Sequence, residues 1–274
     1  MTASSGRGPW LLGWACPSPD DMTGEELTTL FDAVASAGYA GIEPMIAGPY
    51  QIDARVLGRA LRERALRMIG VRTGGLAAQH GLALAHADPE IRRRAVTALC
   101  DVIRYASRFG QPRILVGLMQ GKLTEGMTLA DAQAWIVEGL AQAATVASPL
   151  GIEIDLEPIN RYLVGYHATV ASVLPIIARI GAPNLRLLLD SYHMHLEEAT
   201  IAGAVVQAGH AIGHVHVADS NRRAPGQGHF SFPELFGVLS AVGYAGDITV
   251  ECDYLPDQIT ALRAAARYLA PWCG

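Results

Sequence analysis

No stretch of the 274-residue chain approaches the roughly 18 consecutive apolar residues of a membrane span, which excludes a helical membrane protein and leaves no membrane partner to expect. Cysteine is sparse: Cys16, Cys100, Cys252 and Cys273 lie far apart with no CxxC pairing. Neither a zinc knuckle nor a disulfide scaffold is indicated, and a reducing, cytoplasmic compartment is expected. Charge is scarce too, at 17% of residues, with a net charge of −5 and a pI near 6.0. Gripping phosphate backbones requires a basic surplus, so no nucleic-acid partner is expected. No Pro- or Ser-rich linker divides the chain, which reads as one domain over residues 1–274. What the sequence does contain is apolar mass: 50% of residues are hydrophobic, 7% of the chain is aromatic, and the mean hydropathy is +0.22. That suffices for a large core and excludes intrinsic disorder.

Arg7 followed by the apolar run Trp10–Cys16 has the outline of a secretory leader. The run is only seven residues long, two of them tryptophan, and Asp20 and Asp21 follow at once, so it reads as a buried first strand. It opens a series of eight short runs: Trp10–Cys16, Tyr39–Met45, Met68–Thr73, Arg113–Leu118, Gly151–Glu157, Leu185–Ser191, Ile212–Asp219 and Asp247–Asp253. Each is rich in Ile, Val and Leu and bounded by Gly, Pro or a charged residue, as buried parallel strands are. Amphipathic segments alternate with them, among them Gly24–Ser36, Asp53–Leu66, Pro89–Arg108, Leu129–Ala147, Val170–Ile180 and Pro233–Val242. Thr23 and Asp88 stand where helix N-caps belong, with acids in the turn that follows. Gly38–Glu43 is echoed by Gly243–Asp247, introducing the second and eighth runs alike. Eight strand–helix units of about 30 residues predict an α/β protein closed into a (β/α)8 TIM barrel rather than an open doubly wound sheet.

Buried strands should be apolar, so the acids and histidines at their ends carry the information. Glu157, Asp190, His216 and Glu251 end the fifth to eighth runs, and Glu43 ends the second. In a barrel these ends share one rim, where active sites are built. Three carboxylates in so small a volume repel unless a cation or protons neutralise them. With one imidazole and no sulfur, the set suits Mn²⁺, Mg²⁺ or Co²⁺. Glu43 is a candidate substrate-facing wall residue, or else a loop anchor. Within the fifth run, Glu153, Asp155 and Glu157 alternate with Ile152, Ile154 and Leu156, which turns the acids inward. Arg186, in the column below Asp190, is the expected buried partner of Glu153 or Asp155, and His214 a supporting histidine beneath His216. His193, three residues after Asp190 and just past the strand end, is placed to reach a substrate oxygen or a metal, or else is a loop histidine bonded to the backbone. Of Arg222 and Arg223, in the glycine- and proline-containing loop Asn221–Phe230, one is expected at the site and one in solvent.

Leu156–Tyr162 (LEPINRY), Asp190–His193 (DSYH), the stretch His214–His229 and Val250–Cys252 together resemble the motifs of the xylose-isomerase-like sugar isomerase/epimerase superfamily, nearest its ketose 3-epimerases and hydroxypyruvate isomerases. The resemblance is strong over the second half of the chain. It implies that Glu157, Asp190, His216 and Glu251 bind one divalent ion, Mn²⁺ first. It also implies that His193 and Arg222 hold oxygens of a small sugar-like substrate, and that Glu157 and Glu251 transfer protons. A homo-oligomer, dimeric or tetrameric, is expected. A metal on a carbonyl and its neighbouring hydroxyl acidifies the adjacent C–H and stabilises the resulting enediolate, and carboxylates on its two faces can remove a proton and return one. One position departs from the ketose 3-epimerase pattern: Leu163 stands where those enzymes carry a further glutamate that touches substrate. The same chemistry would serve a lyase, a dehydratase or decarboxylase acting on a keto-polyol or sugar acid. A DNA-repair endonuclease on this barrel would need further histidines that the fourth and seventh runs do not offer.

Overall fold

The computed structural model describes residues 10–47 and 53–273; Arg7 lies outside the described residues. The strands are β1 (Leu12–Cys16), β2 (Gly41–Pro44), β3 (Arg67–Met68), β4 (Gly70–Arg72), β5 (Arg113–Val116), β6 (Ile154–Leu156), β7 (Leu185–Asp190), β8 (Ile212–Val217) and β9 (Ile248–Val250). All pair in parallel, in the order β3-β2-β1-β9-β8-β7-β6-β5-β4. The two ends of that order are contiguous in sequence. Ile69 donates its N–H to Ile42 O (2.9 Å) and accepts from Arg113 N (2.9 Å), so the third stave is one stretch of chain shared by β3 and β4, and the ring closes through it. The eight staves are those the sequence implies.

The helices α1 (Gly24–Ser36), α2 (Ala54–Arg62), α3 (Gly74–His80), α4 (Pro89–Ala106), α5 (Leu129–Ala147), α6 (Val170–Ile180), α7 (Ser191–Glu197), α8 (Ile201–Ala208), α9 (Phe232–Ala241) and α10 (Gln258–Leu269) surround the strands. Their starts follow local chemistry: reciprocal capping boxes join Thr23 to Glu26, Thr128 to Asp131 and Thr169 to Ser172. No helix among the described residues is long and apolar enough to cross a membrane. The four cysteines are free and buried.

Alternation along each strand sorts two environments. Ile114, Ile154, Leu156, Leu187, Val215 and Val250 are fully buried among the helices, in one continuous apolar core. The opposite face carries Glu43, Arg72, Asp155, Asp190, His214, His216 and Thr249, all buried inside the barrel. At its floor the expectation for Arg186 is corrected. Arg113 takes both acids, its Nε on Asp155 Oδ2, its Nη2 on Asp155 Oδ1 (2.8 Å) and its Nη1 on Glu153. Arg186 is level with Asp155 in the β6–β7 register, but its guanidinium turns away and donates to the carbonyls of His210 and Ile212. A shift in the β7–β8 register between Leu187 and Leu188, which skips Gly213, leaves those carbonyls within its reach.

Candidate metal centre

The C-terminal ends of β6 to β9 bring Glu157, Asp190, His216 and Glu251 together, each offering a ligand atom within 4.8 Å of the others. That span matches one small cation with bonds of about 2.1–2.4 Å. Local structure aims each group. Asp190 caps α7 with Oδ1, accepting from Tyr192 N (2.7 Å) and His193 N (3.2 Å), and leaves Oδ2 without a hydrogen bond. Glu157 Oε1 is likewise buried and has no hydrogen-bond partner. Burying such atoms unpaired is costly, and a shared cation removes the cost for both of them. Three carboxylates, an imidazole and no thiolate form a donor set for Mn²⁺, Mg²⁺ or Co²⁺. Room for Glu157 depends on Gly117, because a Cβ there would collide with Glu157 Oε2.

Electrostatics divides the two glutamates. Burial, followed by the charges of Glu251 and Asp190, pushes the Glu157 carboxyl well above the ordinary range. Burial acts on Glu251 in the same sense but is outweighed by Arg72, His216 and Arg222, which hold its carboxyl well below that range. Arg72 Nη1 lies 2.6 Å from Glu251 Oε1, and His216 Nδ1 lies 3.0 Å from Glu251 Oε2. Burial lowers the His216 pKa, but Glu43 and Glu251 together raise it well above the usual imidazole value.

Glu43 is fully buried beneath these ligands and is absent from the lining of the cavity above them. Its Oε1 sits 2.7 Å from His216 Nε2, and its Oε2 is hydrogen-bonded to His214 Nε2 (2.9 Å). It is neither a wall residue nor a loop anchor but a brace under two histidines, as carboxylates behind metal-bound imidazoles are. Thr249 Oγ1 lies 3.1 Å from the same His214 nitrogen.

His193 follows β7 directly. It lies in the first turn of α7, buried, with Nε2 3.7 Å from Glu157 Oε1 and Nδ1 paired with Asn160 Nδ2 (2.8 Å). Burial keeps its pKa below the ordinary imidazole value. Arg222 reaches the site, with Nη2 3.9 Å from Glu251 Oε2 and its guanidinium over the Tyr192 ring, while Arg223 is exposed. Arg222 adopts φ +60°, a conformation costly for a residue with a Cβ. The loop holding it is tied down by Asp219, which accepts from Ser220 N (2.8 Å), Phe230 N (3.0 Å) and Gly226 N (2.8 Å). Arg161 pairs with Glu197 on the rim.

Two supporting residues escaped the sequence reading. Arg72 also donates to Cys16 O (2.7 Å), and the only sequence signal was a charge at the end of an apolar run. Gln120 donates to Glu157 O (2.7 Å) from an unremarkable turn after β5. Above the ligands lies a cavity of about 90 Å³. Met45, Leu118, Ile159 and Leu163 form its apolar wall, opposite Glu157, His193, Arg222, Arg72 and Glu251.

The family described as xylose isomerase-like TIM barrel matches residues 31–272. Hydroxypyruvate isomerase of Escherichia coli (strain K12) is 31% identical over 248 residues, covering 88% of this chain and 92% of its own. L-ribulose 3-epimerase of Methylomonas sp. (strain DH-1) is 31% identical over 220 residues, covering 79% and 75%. The crystal structure of D-allulose 3-epimerase from Methylomonas sp. in complex with D-allulose superposes with a TM-score of 0.78 at 27% identity, covering 97% of this chain and 91% of that one. With a closed parallel barrel, strand-end acids gathered on one rim and these likenesses, the chain belongs to the xylose isomerase-like TIM barrel family, among relatives that are sugar isomerases and epimerases.

Proposed function

We propose that this protein isomerises or epimerises a small sugar-like hydroxy-ketone, using one divalent ion, Mn²⁺ first, and Glu157 and Glu251 as paired acid and base. The observation that carries the reading is the convergence of four candidate ligand atoms, two of them (on Glu157 and Asp190) buried carboxylate oxygens with no hydrogen-bond partner. Bound there, the ion supplies positive charge that neutralises the carboxylates and acidifies the C–H beside a substrate carbonyl.

The remaining work falls to the chain's own groups. Glu251, held by Arg72 and His216, is fixed as one proton carrier, and Glu157, held through its backbone by Gln120 and seated against Gly117, as the other. Proton removal by one and return by the other inverts the carbon, whereas a single shuttling carboxylate gives an aldose–ketose exchange. His193, with its ring fixed by Asn160, and Arg222 present N–H donors to substrate oxygens. The cavity is small, and its apolar wall, with Leu163, gives no hydrogen bond to distal hydroxyls. The short end of the substrate class therefore fits best, in keeping with the E. coli relative named a hydroxypyruvate isomerase. Four free, buried cysteines fit a reducing cytoplasm.

The test is a panel of hydroxypyruvate, other short hydroxy-ketones and ketohexoses, incubated with protein and Mn²⁺ in deuterated water and followed by NMR. Isomer exchange with deuterium uptake next to the carbonyl is expected, fastest for the three-carbon compounds and abolished by chelation. Loss of water or carbon dioxide would identify a lyase instead, and full activity without divalent metal would overturn the assignment.

A further inference from the structure

At the end of the barrel opposite the candidate metal centre, the turns leading into β3, β5 and β9 border an open cavity of about 730 Å³, within the range of small-molecule sites, where Arg62, Arg67 and Arg108 are exposed. Four arginines line it, Arg62, Arg67, Arg108 and Arg113, against one lining acid, Asp247. Their charges are unequally answered. Arg113 is saturated by Asp155 and Glu153. Arg67 meets Asp247 only at 3.3–3.4 Å. Among the described residues, Arg62 and Arg108 have no ion pair, and Asp53, the acid whose charge is felt from Arg108, is already held by Arg55 at 3.0 Å.

The cavity is kept open by residues without side chains, since Gly58, Gly110, Gly213 and Gly246 lie on its wall. Gly58 also lets the Arg62 guanidinium lie against the helix: a Cβ there would meet Arg62 Nη1 at 3.2 Å and the Phe109 ring at 3.8 Å. This is a concentration of unanswered positive charge in a chain whose net charge is −5, so it does not follow from a generally basic surface.

We propose that this cavity is a second binding site, for a small phosphorylated anion. Planar guanidinium forks match two oxygens of a phosphate at once, and Arg62, Arg108 and the loosely held Arg67 line one concavity. Its floor, Gly213 and the Arg113–Asp155 pair, lies below His216 and Glu157 on the same staves, so an occupant does not reach the metal centre. The proposal is independent of the reaction assigned above.

Glycerol 3-phosphate and inorganic phosphate are titrated by calorimetry into the Mg²⁺-loaded wild-type protein and into the variants R62Q/R108Q and R222Q. Turnover on the hydroxy-ketone substrate is expected to be unchanged in R62Q/R108Q, a check that it is folded. Saturable binding should weaken at least about tenfold in R62Q/R108Q, as loss of two charge-assisted contacts requires, and persist in R222Q. Tighter binding of glycerol 3-phosphate than of phosphate would mark a metabolite site, and equal binding a site for the free anion; both carry the proposal. It is overturned if neither probe binds at about 10 mM, if R62Q/R108Q binds as the wild type does, or if binding is lost only in R222Q, which would put the anion at the metal centre.

Discussion

Replacing Glu43 by Gln separates a brace from a substrate contact. The carboxylate is fully buried, with Oε1 2.7 Å from His216 Nε2, Oε2 2.9 Å from His214 Nε2 and Arg72 Nε 3.6 Å away. For His216 to ligate through Nδ1, its one remaining proton must sit on Nε2, facing Glu43 Oε1 at 2.7 Å, as His214 Nε2 faces Glu43 Oε2. Glutamine fills the same volume but offers one acceptor and one donor. One of the two N–H groups then faces an NH₂ group, and the ring concerned must rotate or change tautomer. If that ring is His216, its ligating nitrogen carries the proton. Loss of such a partner typically costs about 10–100-fold in metal affinity, equivalent to about 1.4–2.8 kcal/mol. One buried donor left unpaired costs folding about 1–3 kcal/mol. The assay is Mn²⁺ binding followed by the spin resonance of free Mn²⁺, with turnover measured at rising metal concentration. Weaker metal binding is expected, with kcat largely recovered at saturating Mn²⁺. Unchanged metal affinity together with a raised KM would show that Glu43 touches substrate, and the reasoning from its burial would be wrong.

At saturating Mn²⁺, Glu157→Gln and Glu251→Gln should each slow deuterium exchange into the substrate by about 10²–10⁴-fold, and near-full exchange in either variant would refute the paired-carboxylate mechanism. Mn²⁺ at 100 times its Kd should stabilise the fold by about 2.7 kcal/mol, raising the melting temperature by roughly 5–11 °C at about 2–4 °C per kcal/mol; an unmoved melting curve would mean that the cluster holds no ion. Arg113→Met leaves Asp155 buried without its cation and should cost about 3–5 kcal/mol in urea unfolding, most of it regained in Arg113→Met/Asp155→Leu; a double variant no more stable than the single one would contradict the pairing. Burial holds the His167 imidazole down to about 4, so the unfolded chain takes up more protons than the folded one between pH 6.5 and 4. Stability present above pH 6.5 is therefore lost as the pH falls, and His167→Gln should lose less than the wild type between pH 7 and 5; identical losses would remove His167 from the account.

Much of this molecule is readable from its sequence, and the unread parts share a cause. All eight staves are visible because each pairs a short branched-aliphatic run with a helix whose caps are local. Gly24–Ser36, Leu129–Ala147 and Val170–Ile180 match the helices residue for residue, since Thr23, Thr128 and Thr169 mark their starts by hydrogen bonds within three residues. The four converging side chains are visible for a similar reason, because an acid or histidine ending an apolar strand is conspicuous wherever it later goes. The short helix that carries His193 is not evident, because α7 begins directly at the end of β7, and only the second role of Asp190, as its N-cap, reveals it.

The errors arise wherever a residue's meaning depends on which stave lies beside it. Alternation fixes the face of a strand but says nothing about the height of its neighbour, and the β7–β8 register shift is invisible to it. Arg186 therefore appeared to be the partner of Asp155, when Arg113, which looked like a mere boundary at the start of its run, reaches across from β5. Glu43 and Arg72 belong to the same class. They lie in the first half of the chain, 171 and 179 residues from the His214 and Glu251 they support, and only closure of the ring brings them together. Under the proposed function, the second half of the barrel would supply the groups that face the reaction, and the first half the braces Glu43 and Arg72. Substitutions at the braces should be read through metal affinity and stability, and substitutions at Glu157 and Glu251 through proton exchange.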